Sequence, residues 1–217
     1  MAIKNIIFDF DGTLADTSAL IVATIQTTIQ QLGLPEKTEP ECQSVIGLRL
    51  EEVASVLWPD IADLNESFAA CYRQTFEALK SAYRVTCYPG VIALLQQLRA
   101  AGYGLAIASS RGHRSLAAYT DEFGITDNFS LLIGGDDVAV GKPAPDPVLA
   151  ILAAQHWSAA ETLTVGDMAV DIQMGRRAGT RTCGVTYGNG SRPELEAAGA
   201  DWIIDHFPDL LSVLAAG

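Results

Sequence analysis

Short apolar runs alternate along most of the chain with segments whose apolar residues recur at helical spacing. The runs predict buried strands, and the segments predict helices that cross from one strand to the next. The predicted strands are Ile3–Phe8, Gly104–Ser109, Leu131–Gly134, Thr162–Val165, Thr182–Thr186 and Trp202–Ile204. The predicted helices between them are Val91–Ala101, Ser115–Phe123, Pro147–Gln155, Ile172–Ala178 and Glu194–Ala198. This alternation predicts an α/β fold with a doubly wound parallel sheet covered on both faces.

The alternation breaks between about Thr17 and Tyr83, where no strand pattern appears. Apolar residues there keep helical spacing, among them Leu20, Ala23, Ile25, Ile29, Val53, Val56, Leu57, Phe68, Tyr72 and Phe76. Glycine and proline at Gly33-Leu34-Pro35 and Trp58-Pro59-Asp60 divide the stretch into several helices. We therefore expect two domains: an α/β core of residues 1–15 and 88–217, and a helical insertion of residues 16–87.

Composition limits the class of protein and its partners. A chain of 217 residues that is 49% apolar can form one sizeable core plus an insertion. Its net charge of −12 argues against nucleic acid or an anionic membrane surface as a partner. No apolar run approaches the ~20 residues that span a bilayer, so we expect a soluble, cytoplasmic protein. We also expect a monomer. The four cysteines are far apart, which predicts free thiols rather than a zinc site or a disulfide framework.

Candidate chemistry begins where the first predicted strand ends. Asp9 and Asp11 lie one residue apart there, and Gly12 follows at once. Close carboxylates repel each other unless a cation lies between them or they hold different protons. The pair therefore predicts a divalent metal and acid–base chemistry. In an open α/β sheet, ligands bind outside the carboxyl ends of the strands, where Ser109 and Asp167 also fall.

Four motifs occur in a fixed order along the chain. They are Asp9-Phe10-Asp11-Gly12-Thr13, then Ile107-Ala108-Ser109-Ser110, then Gly141-Lys142-Pro143-Ala144-Pro145-Asp146-Pro147, then Gly166-Asp167-Met168-Ala169-Val170-Asp171. In this set the chain resembles the haloacid dehalogenase-type phosphohydrolases, from end to end. Its branch has a helical cap inserted after the first strand and includes phosphoglycolate phosphatase-like and β-phosphoglucomutase-like enzymes. The resemblance implies a Rossmann-like core with that cap.

The resemblance also implies a role for each charged motif residue. Asp9 is the expected nucleophile, which forms an aspartyl-phosphate. Asp11 is the expected general acid and then general base, and its backbone carbonyl helps to hold the metal. Lys142 neutralises Asp9 and the transferring phosphoryl group. Asp167 is the expected direct ligand of Mg²⁺ and Asp171 an outer or water-mediated one; the alternative for these two is capping of the helix that begins there.

Small polar residues of the motifs are expected to bind the phosphate. They are Gly12, Thr13, Ser109 and Ser110, together with Lys142. Gly12 permits a sharp turn and Thr13 offers a hydroxyl or an N–H, although a Gly-Thr turn without this role stays open. A serine after a strand is often a helix cap, and that is the alternative for Ser109.

Two arginines are candidates for contacts to the rest of the substrate. Arg49, in Gly47-Leu48-Arg49, is similar in place to a cap loop that reaches into the site, and a solvated surface arginine is the equal alternative. Arg111 follows Ser109-Ser110 and either forks onto a substrate carboxylate or phosphate or faces water at a helix start.

Taken together, the residues and the resemblance predict a Mg²⁺-dependent phosphatase of a small phosphorylated metabolite, similar to phosphoglycolate phosphatase. A β-phosphoglucomutase-like phosphotransferase is disfavoured because Ile21 stands about where those enzymes carry a histidine. An inorganic pyrophosphatase stays open. Dehalogenation is a distant choice, since dehalogenating members lack the second aspartate. The alternative outside catalysis is a regulatory protein that binds a ligand or a partner.

Overall fold

The computed structural model describes residues 2–217 and is built around a six-stranded parallel sheet. Across the sheet the order is β5, β4, β1, β6, β7, β8. These strands are β1 Asn5–Phe8, β4 Gly104–Ala108, β5 Leu131–Ile133, β6 Thr162–Gly166, β7 Arg181–Val185 and β8 Trp202–Ile204. Each lies parallel to its neighbours, with helices between consecutive strands, so the predicted fold class is confirmed.

Ten α-helices accompany the strands in the described residues 2–217. They are α1 Ser18–Leu32, α2 Glu39–Gln43, α3 Leu50–Leu57, α4 Leu64–Leu79, α5 Val91–Ala100, α6 His113–Glu122, α7 Asp146–Gln155, α8 Ala169–Arg177, α9 Arg192–Ala198 and α10 Leu210–Ala216. Side chains of the central strand β1 alternate between the two faces of the sheet. Ile6 and Phe8 pack with the cluster that includes α5, α6 and α10, and Ile7 packs with α7 and α8.

Helices α1 to α4 contribute to a second hydrophobic cluster, although Leu20 of α1 and Phe76 of α4 belong to the cluster of the core. The second cluster is centred on Ile25, Ile29, Val53 and Phe68, all buried. A short antiparallel ribbon of β2 (Ala15–Asp16) and β3 (Thr86–Cys87) marks the entry to this helical insertion and the return from it. Strands of two residues are too short to leave an alternation pattern in the sequence. Among residues 2–217, no helix is both long and apolar enough to cross a membrane.

Several element boundaries differ from those that the apolar pattern predicts. Strand β1 begins at Asn5 rather than Ile3, α6 begins at His113 rather than Ser115, and α8 begins at Ala169 rather than Ile172. The first turns of both helices are polar or lie beside the motif residues, so apolar periodicity starts only after them. The early start of α8 places Asp171 in its first turn.

Candidate active site

The motif residues converge at the carboxyl ends of the central strands. Asp9 follows β1, Ser109 follows β4 and Asp167 follows β6, which are three adjacent strands of the sheet. Lys142 reaches the same place from the loop between β5 and α7. Parallel strands present all their carboxyl ends on one edge, which is why residues 133 positions apart come into contact.

A buried ionic cluster forms the floor of the site. The Lys142 ammonium donates to Asp9 Oδ1 at 2.5 Å and to Asp171 Oδ1 at 2.7 Å, and its side chain is 1% exposed. Burial opposes the charged form of this lysine, but the two carboxylates outweigh it and raise the pKa of Lys142. Lys142 therefore stays protonated, and each of its two ion pairs is shielded from water.

The carboxylates of this cluster carry more negative charge than one lysine can balance. One carboxylate oxygen each from Asp9, Asp167 and Asp171 lies within 4.8 Å of the other two, and all three residues are buried. Burial is the main cause that raises the pKa of Asp9 well above its ordinary value, with Asp171 and Asp167 adding to it. Burial and then Asp171 raise the pKa of Asp167 to about 7.

Such a cluster fits a divalent cation. Three carboxylates against the single charge of Lys142 leave an excess of two negative charges when all are ionised. The donor set consists of oxygens alone, which is the set that Mg²⁺ prefers over softer metals. The residues present therefore fit the metal that the motifs predict.

Asp167 is held in place by two segments far from it in sequence. It accepts from Thr13 Oγ1 at 3.0 Å, from the Asn189 backbone N–H at 2.7 Å and from Asn189 Nδ2 at 3.1 Å. Gly12, at a φ of +85°, packs so closely that an added Cβ would lie 2.2 Å from Asp167 Oδ2. In this arrangement the Thr13 hydroxyl positions Asp167 instead of facing the cleft, and its predicted contact with phosphate stays a prediction.

Asn189 is a site residue that sequence reasoning missed. It lies in the loop after β7, where Tyr187 also donates from its hydroxyl to the Thr13 carbonyl at 2.9 Å. The signal was present: Tyr187-Gly188-Asn189-Gly190 directly follows a parallel strand, at the edge where ligands bind. Glycine-rich loops are common turns, so the pattern alone did not identify the contact.

The helix-cap alternatives are resolved differently for each residue. Asp171 does cap α8, because its Oδ2 accepts from the Met168 backbone N–H at 3.0 Å while its Oδ1 binds Lys142. Asp167 accepts from Thr13 and Asn189 instead of capping the helix. Ser109 accepts from the Arg111 N–H at 3.1 Å, before α6 begins. Its hydroxyl hydrogen is donated to no protein acceptor within the described part of the chain.

Asp11 is paired with Arg111 at the edge of the cluster. Arg111 Nε donates to Asp11 Oδ2 at 3.1 Å and a terminal guanidinium nitrogen donates to Oδ1 at 2.6 Å. Thr17 Oγ1 donates to the same Oδ1 at 2.8 Å. The guanidinium also lies 4.9 Å from the ring centre of Tyr119 and 5.1 Å from that of Phe76. Two nitrogens of the Arg111 guanidinium are therefore bound to Asp11, the second aspartate of the first motif.

Ser110 and Arg49 lie where the helical insertion meets the core. Ser110 Oγ donates to the Gly47 carbonyl at 2.6 Å, and Arg49 donates to the Ala139 carbonyl at 2.8 Å. These bonds hold the loop 47–49 of the insertion against two core loops. The predicted contacts of Ser110 with phosphate and of Arg49 with substrate stay predictions.

A cleft of about 950 Å³ separates the insertion from the carboxyl edge of the sheet. Asp9, Asp11 and Ser109 line its core side. Ile21, Leu48, Leu50, Tyr72 and Phe76 line its other side. The charged cluster therefore borders a cleft that is large enough for a small organic molecule.

Comparison with known proteins gives consistent matches. A family model described as haloacid dehalogenase-like hydrolase matches residues 6–185. The phosphoglycolate phosphatase of Pectobacterium atrosepticum is 33% identical over 221 residues, which is 98% of this chain and 93% of that protein. The pyrophosphatase PpaX of Anoxybacillus flavithermus is 31% identical over 99% of this chain and 98% of its own. The crystal structure of a hydrolase from Pseudomonas syringae superposes with a TM-score of 0.88 at 27% identity, over 98% of each chain.

Proposed function

The chain belongs to the haloacid dehalogenase-like hydrolase family, and on that premise we propose that it hydrolyses a small phosphate monoester through an aspartyl-phosphate, with Mg²⁺. The family resemblance of the four motifs is thereby confirmed. The single observation that carries the mechanism is the buried contact of Lys142 with Asp9, inside a cluster that includes Asp167 and Asp171. The relatives named as phosphatases support hydrolysis of a phosphoric monoester.

In the first half-reaction, a carboxylate oxygen of Asp9 attacks phosphorus and the ester P–O bond breaks. The leaving alkoxide takes a proton from Asp11, which has to release Arg111 before it can act as an acid. Lys142 balances negative charge on Asp9 and on the phosphoryl oxygens throughout. Ser109, with an O–H that no protein group accepts in the described chain, donates to a phosphoryl oxygen.

In the second half-reaction, water attacks the phosphorus of the aspartyl-phosphate and its proton passes to Asp11. The bond between phosphorus and the Asp9 oxygen breaks, which releases inorganic phosphate and restores the free carboxylate. The ion pair with Arg111 holds the Asp11 carboxylate at the edge of the cluster for this step. Asp11 therefore acts in opposite protonation states in the two half-reactions, whereas Asp9 carries the phosphoryl group from the first to the second.

For the metal, the side chains of Asp9 and Asp167, the backbone carbonyl of Asp11 and a water on Asp171 are the proposed ligands. Asp171 takes the outer position because Lys142 and the Met168 N–H already bind its two oxygens. When bound, Mg²⁺ offsets the repulsion between carboxylates and phosphate and polarises the phosphoryl group.

The helical insertion acts as a cap in this proposal, over a core of residues 1–15 and 88–217. The contacts of Ser110 with Gly47 and of Arg49 with Ala139 join the insertion to the core beside the cleft. A cap in that place excludes water from the covalent intermediate and supplies contacts to the leaving group.

The test is release of inorganic phosphate from a panel of phosphate monoesters, with Mg²⁺ and with chelator. Asp9→Asn should abolish release, while Asp16→Asn, the same change at an exposed aspartate nearby, should leave it unchanged. Rapid quench with a ³²P-labelled ester should place the label on the peptide that contains Asp9. Label on another residue, or turnover by Asp9→Asn, would contradict the mechanism.

The same panel separates the other activities that the family contains. Pyrophosphate as a substrate tests the pyrophosphatase alternative. β-Glucose 1-phosphate with a bisphosphate activator tests phosphotransfer, and phosphorus NMR would show the 6-phosphate if it forms. Absence of phosphate release from every compound at neutral pH would favour a binding protein over an enzyme.

A further inference from the structure

We infer that the cleft selects a phosphate monoester whose leaving group is uncharged and carries a ring, in preference to esters with a second anionic group. This inference rests on the proposed phosphatase function and adds the chemical class of the substrate to it. Three features of the cleft support it: an apolar and aromatic lining, an excess of carboxylates, and the pairing of its buried arginine.

Much of the cleft lining is apolar and in part aromatic. Tyr72 stacks on Phe76 with ring centres 6.0 Å apart, and Phe76 meets Tyr119 edge to face at 6.5 Å. All three rings line the cleft, as do the half-buried side chains of Leu48 and Leu50. A planar ring gains offset or edge contacts on such a wall, whereas a two-carbon acid leaves most of it in water.

The charges that line the cleft disfavour a second anion. The lining has six carboxylate side chains and four cationic ones, and Lys142 beneath it pairs with one of the six, Asp9, so the formal balance is negative by one charge. Arg73 pairs with Glu51 and Lys80 pairs with Glu77, and both cations are at least half exposed. Arg114 is exposed and makes no ion pair among the residues described. Cations in such positions are screened by water and salt, so they hold a substrate carboxylate only weakly.

Arg111 is the cation of the lining that lies deepest, with a side chain that is 8% exposed. One edge of its guanidinium, Nε and one terminal nitrogen, donates two hydrogen bonds to Asp11. The other terminal nitrogen donates to Ser115 Oγ at 3.0 Å. A carboxylate or second phosphate on the substrate would have to compete with Asp11 for Arg111 on binding, before the step in which Asp11 leaves Arg111 to act as the acid. A neutral leaving group leaves the pair intact on binding.

The volume of the cleft also favours a leaving group larger than glycolate. The cleft of about 950 Å³ is at the upper end of the range for sites that enclose drug-sized molecules. Glycolate would occupy a small part of it and would bring a charge that the lining does not balance. A ring on the leaving group would gain contacts with lining residues such as Leu48 and Tyr119.

Four esters test ring and charge independently: benzyl phosphate, 4-carboxybenzyl phosphate, ethyl phosphate and 2-phosphoglycolate. We expect kcat/KM for benzyl phosphate to exceed that for ethyl phosphate by about tenfold or more, the order of discrimination that apolar pockets provide. Each carboxylated ester should be a poorer substrate than its neutral partner. Equal rates for the benzyl and ethyl esters, or a preference for either carboxylated ester, would overturn the inference.

A binding measurement keeps the inference separate from the proposed function. Benzylphosphonate and phosphonoacetate cannot be hydrolysed at their C–P bonds, so calorimetry with wild-type protein and Mg²⁺ reads ligand preference without turnover. Tighter binding of benzylphosphonate supports the inference, and tighter binding of phosphonoacetate overturns it. If neither these four esters nor the wider panel release phosphate, the phosphatase proposal fails while calorimetry still decides the ligand class.

A charge placed in the apolar wall should reverse the preference. Leu48→Lys adds a cation beside the leaving group and should raise kcat/KM for 2-phosphoglycolate relative to benzyl phosphate by about tenfold or more. Val56→Lys is the matched control, because Val56 is 55% exposed and does not line the cleft. Leu50→Lys provides a second position if Leu48→Lys does not fold. An unchanged ratio in a folded variant would contradict the inference.

Discussion

Replacing Lys142 by methionine removes the ammonium from the buried cluster and keeps an unbranched side chain of similar length. Asp9 and Asp171 then lose their shared partner, at a position where both are buried. Truncating one member of a buried ion pair costs about 3–5 kcal/mol, because the charge left behind is neither solvated nor paired. At about 2–4 °C per kcal/mol for a chain of this size, the melting temperature should fall by roughly 6–20 °C.

The same substitution should lower activity for a separate reason. Lys142 is the proposed partner of charge on the transferring phosphoryl group, and loss of one such electrostatic donor lowers kcat by about 10²–10³. Adding Asp171→Asn to Lys142→Met should restore part of the lost stability, because it removes one of the unpaired charges. The double variant should not regain kcat, since it still lacks the ammonium of Lys142.

The assay is thermal unfolding followed by circular dichroism, in chelator and in Mg²⁺, together with phosphate release. We expect the loss of melting temperature to be smaller in Mg²⁺, because a ligand that binds only the folded state stabilises it by mass action. A Lys142→Met protein that melts within about 2 °C of wild type in chelator would refute the reasoning. It would mean that the carboxylates do not depend on this lysine for their charge balance.

Three further outcomes follow from the site. Arg111→Met should lower kcat by about 10²-fold, because Asp11 loses the partner that positions it. The KM for benzyl phosphate should change by less than about twofold. A rise in KM for carboxylated esters alone would instead indicate that Arg111 contacts the substrate. Gly12→Ala should destabilise the protein by about 1–3 kcal/mol, because its φ is +85° and the new Cβ meets Asp167; wild-type melting and phosphate release would contradict this. Without metal, the pKa of Asp167 is about 7 in the folded protein and about 4 in the unfolded chain. Between these values the folded protein holds a proton that the unfolded chain has released, so in chelator the free energy of unfolding should fall as pH rises from about 4 to about 7. The increase in melting temperature on adding Mg²⁺ should therefore be larger at pH 7.5 than at pH 5, and an increment independent of pH would refute it.

The fold was predictable because its signals are local. Apolar runs such as Leu163–Val165 and helical spacing such as Leu94, Leu95 and Leu98 report which residues are buried, whatever they pack against. Boundaries were less accurate where a helix begins with polar residues, as α6 does at His113. The ribbon of β2 and β3 left no signal, since two residues are too few for alternation.

The motifs also predicted that Asp9, Ser109 and Asp167 would meet, because each follows a parallel strand and such ends share one edge. The sequence could not predict the partner of each side chain. Arg111 binds Asp11 across 100 positions, and Asn189 binds Asp167 across 22. Hydrogen bonds of this kind depend on angles and distances between loops, which no periodicity in the chain encodes.

By itself, then, the sequence determined which segments are buried and which polar residues end the strands, since burial and strand direction follow from local composition. Only the tertiary structure decided that Arg111 pairs with Asp11, that Asp171 both caps α8 and binds Lys142, and that the cleft wall is aromatic. Those features arise from the packing of the helical insertion and several loops against one sheet edge, and packing joins residues that are remote along the chain.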